Sequence, residues 1–188
     1  MTIKVGINGF GRMGRLSLRA GFGTNDIEFV HINDPAGDAK TLAHLLNFDS
    51  VHGRWSYEAE HVGNTIVING KKISTSQNIA INETDWSGCD VVIEASGKMK
   101  TKALLQPYLK QGVKRVVVTA PVKEEGVLNV VMGVNEDLFN QKEHQIVTAA
   151  SCTTNCIAPV VKVIHENLGI KHGSITTIHD VTNTQTIL

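Results

Sequence analysis

Cysteine is scarce in this chain, three in 188 residues. The number is odd and the spacing forms no framework, which excludes a disulfide scaffold and fits a reducing compartment. An excess of charge of one sign is also missing. Eighteen Lys and Arg balance eighteen Asp and Glu, in singles and short pairs such as Lys71-Lys72, so there is no electrostatic case for nucleic acid. No apolar run approaches the ~20 residues of a membrane-spanning helix. No charged and apolar leader precedes the first structured stretch. The expectation is a cytoplasmic protein with neither membrane nor nucleic acid as partner. Internal repeats and low-complexity linkers are absent, and the length suffices for one good core and the start of a second.

What is present begins at residue 3. Residues 3–8 form a short β-branched run that leads into Gly9-Phe10-Gly11-Arg12-Met13-Gly14 and then an apolar helical stretch. Strand, glycine turn and helix in that order make the context a G-x-G-x-x-G turn needs, and residues 28–34 add a second strand ending in Asp34, about 20 residues past the last glycine. Gly9 allows the tight turn, Gly11 lets backbone approach a pyrophosphate, and Gly14 lets helix and strand pack closely. Phe10 and Met13 count with the turn, and Arg12 stands at its mouth to meet the pyrophosphate. Asp34 is expected to accept hydrogen bonds from a ribose and to repel an extra phosphate there, which favours NAD over NADP.

The period then changes. Residues 38–46 have helical spacing, while 55–60, 65–68 and 71–76 read as short strands joined at Gly63-Asn64 and Asn69-Gly70, the latter a strong hairpin signal. Residues 90–94 resume the continuous apolar character of a parallel strand. Ligands of such sheets sit beyond the carboxyl ends of strands, so Ser96 and Gly97 are candidate cofactor contacts. A helix over 101–111 with Thr101 as cap, a strand and turn over 115–121, and last strands over 129–134 and 145–148 follow. The fold class expected is α/β, a doubly wound, mostly parallel Rossmann-type sheet with an antiparallel hairpin insertion, followed by the start of an α+β catalytic domain. The boundary falls at 150/151, giving a nucleotide-binding domain over 1–150 and an incomplete second domain over 151–188.

Cys152 sits behind a β-branched strand and at the start of an apolar helix, where backbone N–H groups favour a thiolate. His179 follows on a strand predicted over 174–181, the residue type that activates a cysteine. Ser151 and Thr153 gather hydroxyls at the same helix start, suited to an anion, with Ser151 also a natural cap. The stripe Ile157, Val160, Val161 and Ile164 reads as core, and Cys156 is expected to pack inside. Cys152 and Cys156 lack the further Cys or His ligands of a zinc site, so no metal is expected. Cys89 reads as a plain buried thiol.

Three segments, GINGFGRMGR at 6–15, ASCTTNCIAP at 150–159 and TTIHDVTNTQ at 176–185, together closely resemble phosphorylating glyceraldehyde-3-phosphate dehydrogenase. The resemblance implies NAD-dependent oxidation of glyceraldehyde 3-phosphate to an acyl phosphate through a Cys152 thioester, with His179 as base. It further implies that Thr119 and Ala120 border the nicotinamide half, that Thr182 joins Ser151 and Thr153 in holding phosphate, and that the full-length protein is a homotetramer. The stretch 33–55, with Asp49-Ser50-Val51-His52-Gly53, looks like members associated with arsenate resistance, in which arsenate replaces phosphate. An erythrose-4-phosphate dehydrogenase and a noncatalytic nucleotide-binding module are the alternatives. Because family members continue beyond residue 188, the chain is expected to be a fragment that binds NAD weakly and turns over little.

Overall fold

Alternation in the first strand organises the molecule, whose computed structural model describes residues 2–179. Strand β1 (Ile3–Asn8) turns Val5 and Ile7 to one face of a sheet. Gly6 between them turns to the other, where a Cβ would meet Cys89 Sγ at 2.8 Å and the Trp86 ring at 2.9 Å. Each face therefore carries its own core.

The remaining elements follow in order: α1 (Arg12–Gly21), β2 (Ile27–Asn33), α2 (Ala39–Asn47), β3 (Phe48–Asp49), β4 (Gly53–Arg54), β5 (Ala59–Val62), β6 (Thr65–Ile68), β7 (Lys71–Ser76), β8 (Val91–Glu94), α3 (Lys102–Lys110), β9 (Arg115–Val118), β10 (Leu128–Asn129), β11 (Ile146–Thr148) and α4 (Cys152–Leu168). Nine strands make one sheet in the order β10-β11-β9-β8-β1-β2-β7-β6-β5. Pairing is parallel from β10 to β7 and antiparallel through β6 and β5, so the hairpin insertion extends one edge of a Rossmann-type sheet. β-branched residues dominate β8 and β9, as strands covered on both faces require.

Val5, Ile7, Leu18, Ile32, Leu42, Leu46, Ile66 and Ile73 join helices α1 and α2 to one face and to the insertion. Trp86, Leu105, Tyr108, Val92, Val116 and Ile146 fill the other. Each fully buried aliphatic side chain stabilises the fold by roughly 1.5–3 kcal/mol. Helix α2 starts where Asp38 accepts from the Thr41 N–H at 2.8 Å, and α3 where Thr101 accepts from Leu104.

Several local expectations change. The strand predicted over 55–60 begins only at Ala59, because the Asn47 side chain takes both the N–H and the carbonyl of Ala59 at 2.7 and 2.8 Å. Trp55 and Tyr57 instead pack edge to face on Phe22. The strand predicted over 129–134 stops at Asn129, where Asn135 Oδ1 accepts the Val131 N–H at 2.7 Å and bends the chain into a turn. Residues 174–179 form no strand, and 180–181 lie outside the described residues. The α4 stripe is not core: Val160, Val161 and Ile164 are 56%, 40% and 41% exposed, since no layer of described residues covers that side. The β3–β4 ribbon has no signal in hydrophobic period and is set by Asp49, which accepts the N–H groups of Val51 and His52, both at 2.9 Å. Among the described residues no helix is long and apolar enough to cross a membrane.

Candidate active site

Strand β1 ends at Asn8, and the chain must reverse at once to enter α1. Gly9 does this with φ +88°, so close to the neighbouring turn that a Cβ would lie 2.5 Å from the Ser96 nitrogen. Gly14 sits beneath it, where a Cβ would fall 2.1 Å from the Gly9 oxygen. Gly11 differs, with nothing within 4 Å of a Cβ position. It is the N-cap of α1, whose first turn carries no side-chain cap and no acid. The N–H groups and the positive end of the helix dipole are left for an anion.

This turn opens onto a cavity of about 380 Å³ lined by Asn8, Gly9, Gly11, Asp34, Asn78 and Ser96, among others. Asp34 accepts the Phe10 N–H at 2.6 Å through Oδ2 and the Ala36 N–H at 2.8 Å through Oδ1. Each oxygen keeps a lone pair for a ribose hydroxyl. Of the other candidates, Phe10 buries its side chain in the core and offers only backbone. Arg12 and Met13 are exposed beside the cavity rather than in its lining, as is Gly97 at φ +72°. Thr119 and Ala120 follow the end of β9, with the Thr119 N–H donating to the Glu94 carbonyl at 3.0 Å. Asn8, Asn78 and Lys98 line the cavity without having been singled out by motif. Asn8 was findable, as the polar residue closing the first strand at its carboxyl end.

The second constellation lies after β11. The Ala149 N–H is held by the Val118 carbonyl at 2.9 Å, and Ala150 then adopts φ +55°, a conformation that non-glycine residues rarely take. The bend turns the chain sharply into α4. Ser151 caps the helix by accepting from Thr154, and Asn155 Nδ2 ties back to the carbonyls of Ala149 and Ser151 at 2.7 and 2.9 Å. Cys152, in the first turn, is exposed. Its Sγ lies 3.4 Å from His179 Nε2. The thiol is held below its ordinary value chiefly by the His179 contact, which outweighs the opposing effect of burial, with lesser help from the Thr153 backbone N–H and side chain.

Cys152, Thr153, Cys156 and His179 share a cavity of about 490 Å³ with apolar residues of α4 and of the segment before His179. Cys156 thus faces the cavity, exposed, instead of packing inside, because α4 buries none of its residues. Ser151 lines an adjoining recess with Thr154 and Lys123. Thr182 lies outside the described residues. The described residues contain no group of three or more His, Cys, Asp or Glu suited to a metal.

Fold and sites together define a dinucleotide-binding α/β protein with a paired cysteine and histidine. Comparison with known families narrows this. Residues 3–102 match the NAD binding domain of glyceraldehyde 3-phosphate dehydrogenase, and residues 151–188 match the C-terminal domain of the same family. The chain belongs to the glyceraldehyde 3-phosphate dehydrogenase family. It is 58% identical to glyceraldehyde-3-phosphate dehydrogenase 3 of Nostoc sp., 46% to the Geobacillus stearothermophilus enzyme and 44% to glyceraldehyde-3-phosphate dehydrogenase 1 of Bacillus subtilis. Each comparison covers all of this chain and 56% of the relative, so the chain spans about half the length of these proteins. Its cofactor is NAD, which the open face at Gly11, the uncapped α1 start and Asp34 fit.

Proposed function

We propose that this chain carries the nucleotide-binding domain, residues 1–150, and the opening of the catalytic domain, residues 151–188, of a phosphorylating dehydrogenase acting on glyceraldehyde 3-phosphate. The observation that carries the proposal is the 3.4 Å approach of Cys152 Sγ to His179 Nε2 at an exposed helix start. Nucleophile and base must meet in this way for covalent chemistry at a carbonyl.

The Cys152 thiolate attacks the aldehyde carbon and forms a C–S bond, and the carbonyl π electrons move to oxygen. His179 and the backbone N–H groups at the start of α4 stabilise that oxygen. His179 then holds the proton lost from the adduct's hydroxyl. NAD, when held at the Gly9–Asp34 cavity, would accept the hydride that leaves the adduct carbon, and the acyl group remaining on Cys152 is a thioester. An oxygen of inorganic phosphate attacks the thioester carbon, the C–S bond breaks, and an acyl phosphate departs from a regenerated thiolate. Ser151, Thr153 and Thr182 are the groups assigned to the anion. Arsenate, also tetrahedral, fits the same chemistry, and the likeness of the 33–55 stretch to arsenate-associated members keeps it as the alternative acceptor. The relatives' shared name supports the substrate, and a cytoplasmic homotetramer is the assembly proposed for the full-length protein.

Intact mass after incubation with glyceraldehyde 3-phosphate and NAD, without phosphate, tests this reading. A single acyl adduct on Cys152 that phosphate or arsenate removes is the expected result. Failure to acylate, in the presence of bound NAD, would leave a noncatalytic nucleotide-binding module.

A further inference from the structure

Beneath the dinucleotide cavity, four neighbouring strands join polar side chains in one row across their carboxyl ends. Ser76 Oγ of β7 donates to Asn33 Oδ1 of β2 at 2.7 Å, Asn33 Nδ2 to Asn8 Oδ1 of β1 at 2.8 Å, and Asn8 Nδ2 to Glu94 Oε2 of β8 at 2.8 Å. The row follows the strand register, in which Asn33 pairs with Ser76 and with Asn8, and Asn8 with Glu94. Every bond points the same way. Glu94 is the terminal acceptor and is 1% exposed.

Three more donors reach it. Tyr108 OH lies 2.6 Å from Oε2, and Oε1 takes both the Ser96 N–H at 2.8 Å and the Ser96 hydroxyl. Among the described residues no cation pairs with Glu94. Burying such a group is costly unless its oxygens are satisfied, and here they are saturated by donors. Half of those donors belong to Ser96. The turn after β8 is thereby held by its backbone and its side chain at once, against Gly9 and along one wall of the cavity.

We propose that Glu94 is a positioning residue for dinucleotide binding, acting through Ser96 and aligned by the Ser76-Asn33-Asn8 row. The proposal rests on the assignment of the Gly9–Asp34 cavity to NAD. Glutamine in place of Glu94 keeps the shape but replaces one acceptor oxygen by an amide donor, so either the Ser96 N–H or the Asn8 amide loses its acceptor and the hold on the Ser96 turn weakens.

Calorimetric titration of the chain with NAD, alongside thermal melting, tests this. Glu94→Gln is expected to raise Kd tenfold or more, Ser96→Ala several-fold, and the double variant no further than the worse single. Ile66→Ala, a core change in the insertion, is expected to lower the melting temperature while leaving Kd within twofold. Wild-type affinity in Glu94→Gln overturns the proposal, as does an Ile66→Ala effect on Kd equal to that of Glu94→Gln. Should Glu94→Gln not fold, wild-type affinity in Ser96→Ala overturns it. An unsubstituted chain that takes up no NAD overturns the cavity assignment and this proposal together, whereas the other outcomes leave that assignment standing.

Discussion

Gly14 and Gly9 are locked one over the other: a single methyl group on Gly14 would stand 2.1 Å from the Gly9 carbonyl oxygen. Gly11, between them in sequence, faces open space. The two kinds of glycine therefore predict opposite phenotypes. Gly14→Ala should cost ~3 kcal/mol or more, since backbone on both sides must shift. Gly11→Ala, at φ −67°, should stay within about 1 kcal/mol of the parent. Its added methyl nevertheless occupies the space assigned to the pyrophosphate, and NAD affinity should fall at least tenfold. Denaturant melts and NAD titration of the two variants separate these effects.

The three cysteines should divide by accessibility. Cys89 is buried beneath Gly6, and burial, with Asp85 and Asp90 nearby, pushes its thiol up to about 11. At pH 8 the folded chain should accept label at Cys152 and Cys156 and refuse it at Cys89, with the third site opening only in denaturant. Mass spectrometry of labelled peptides checks this. Rapid modification of Cys89 in the folded chain contradicts the packing described here.

The β3–β4 ribbon should loosen in acid. Hydrogen bonds from the His52 and Val51 N–H groups, with Arg15 3.6 Å away, hold the Asp49 carboxyl at about 2 against an ordinary 3.8. A folded value below the unfolded one means that the contribution is complete above about pH 4 and drains as pH falls toward 2. Asp49→Asn should therefore be less stable than the parent at neutral pH and lose that difference between pH 4 and 2. The Asp49 side chain is only 7% exposed, and the effect is read as a flatter acid limb in thermal melts.

The nucleotide half of the molecule was legible because its signals are local. The glycine turn, Asp34, the Asn69-Gly70 hairpin and the β-branched strands each depend on neighbours a few residues away. Short-range side-chain bonds misled the strand boundaries at 55–60 and 129–134, where Asn47 and Asn135 substitute for ladder partners that periodicity assumes. The α4 stripe shows a different failure. Helical spacing reports an apolar face but not whether anything covers it. At the cysteine site, the motif named Cys152 and His179, whereas the left-handed bend at Ala150 that aims the helix has no signature in residue type. The Glu94 row was likewise invisible, since it joins residues from positions 8 to 96 that meet only through strand register.

The most direct test of the cysteine–histidine account is the rate of iodoacetamide alkylation at Cys152 as a function of pH, in the parent chain and in His179→Ala. The account predicts rapid, stoichiometric labelling with an inflection below the ordinary thiol value, and in the variant a slower reaction whose inflection moves up toward it. Sluggish labelling of Cys152 with the same profile in both proteins contradicts it.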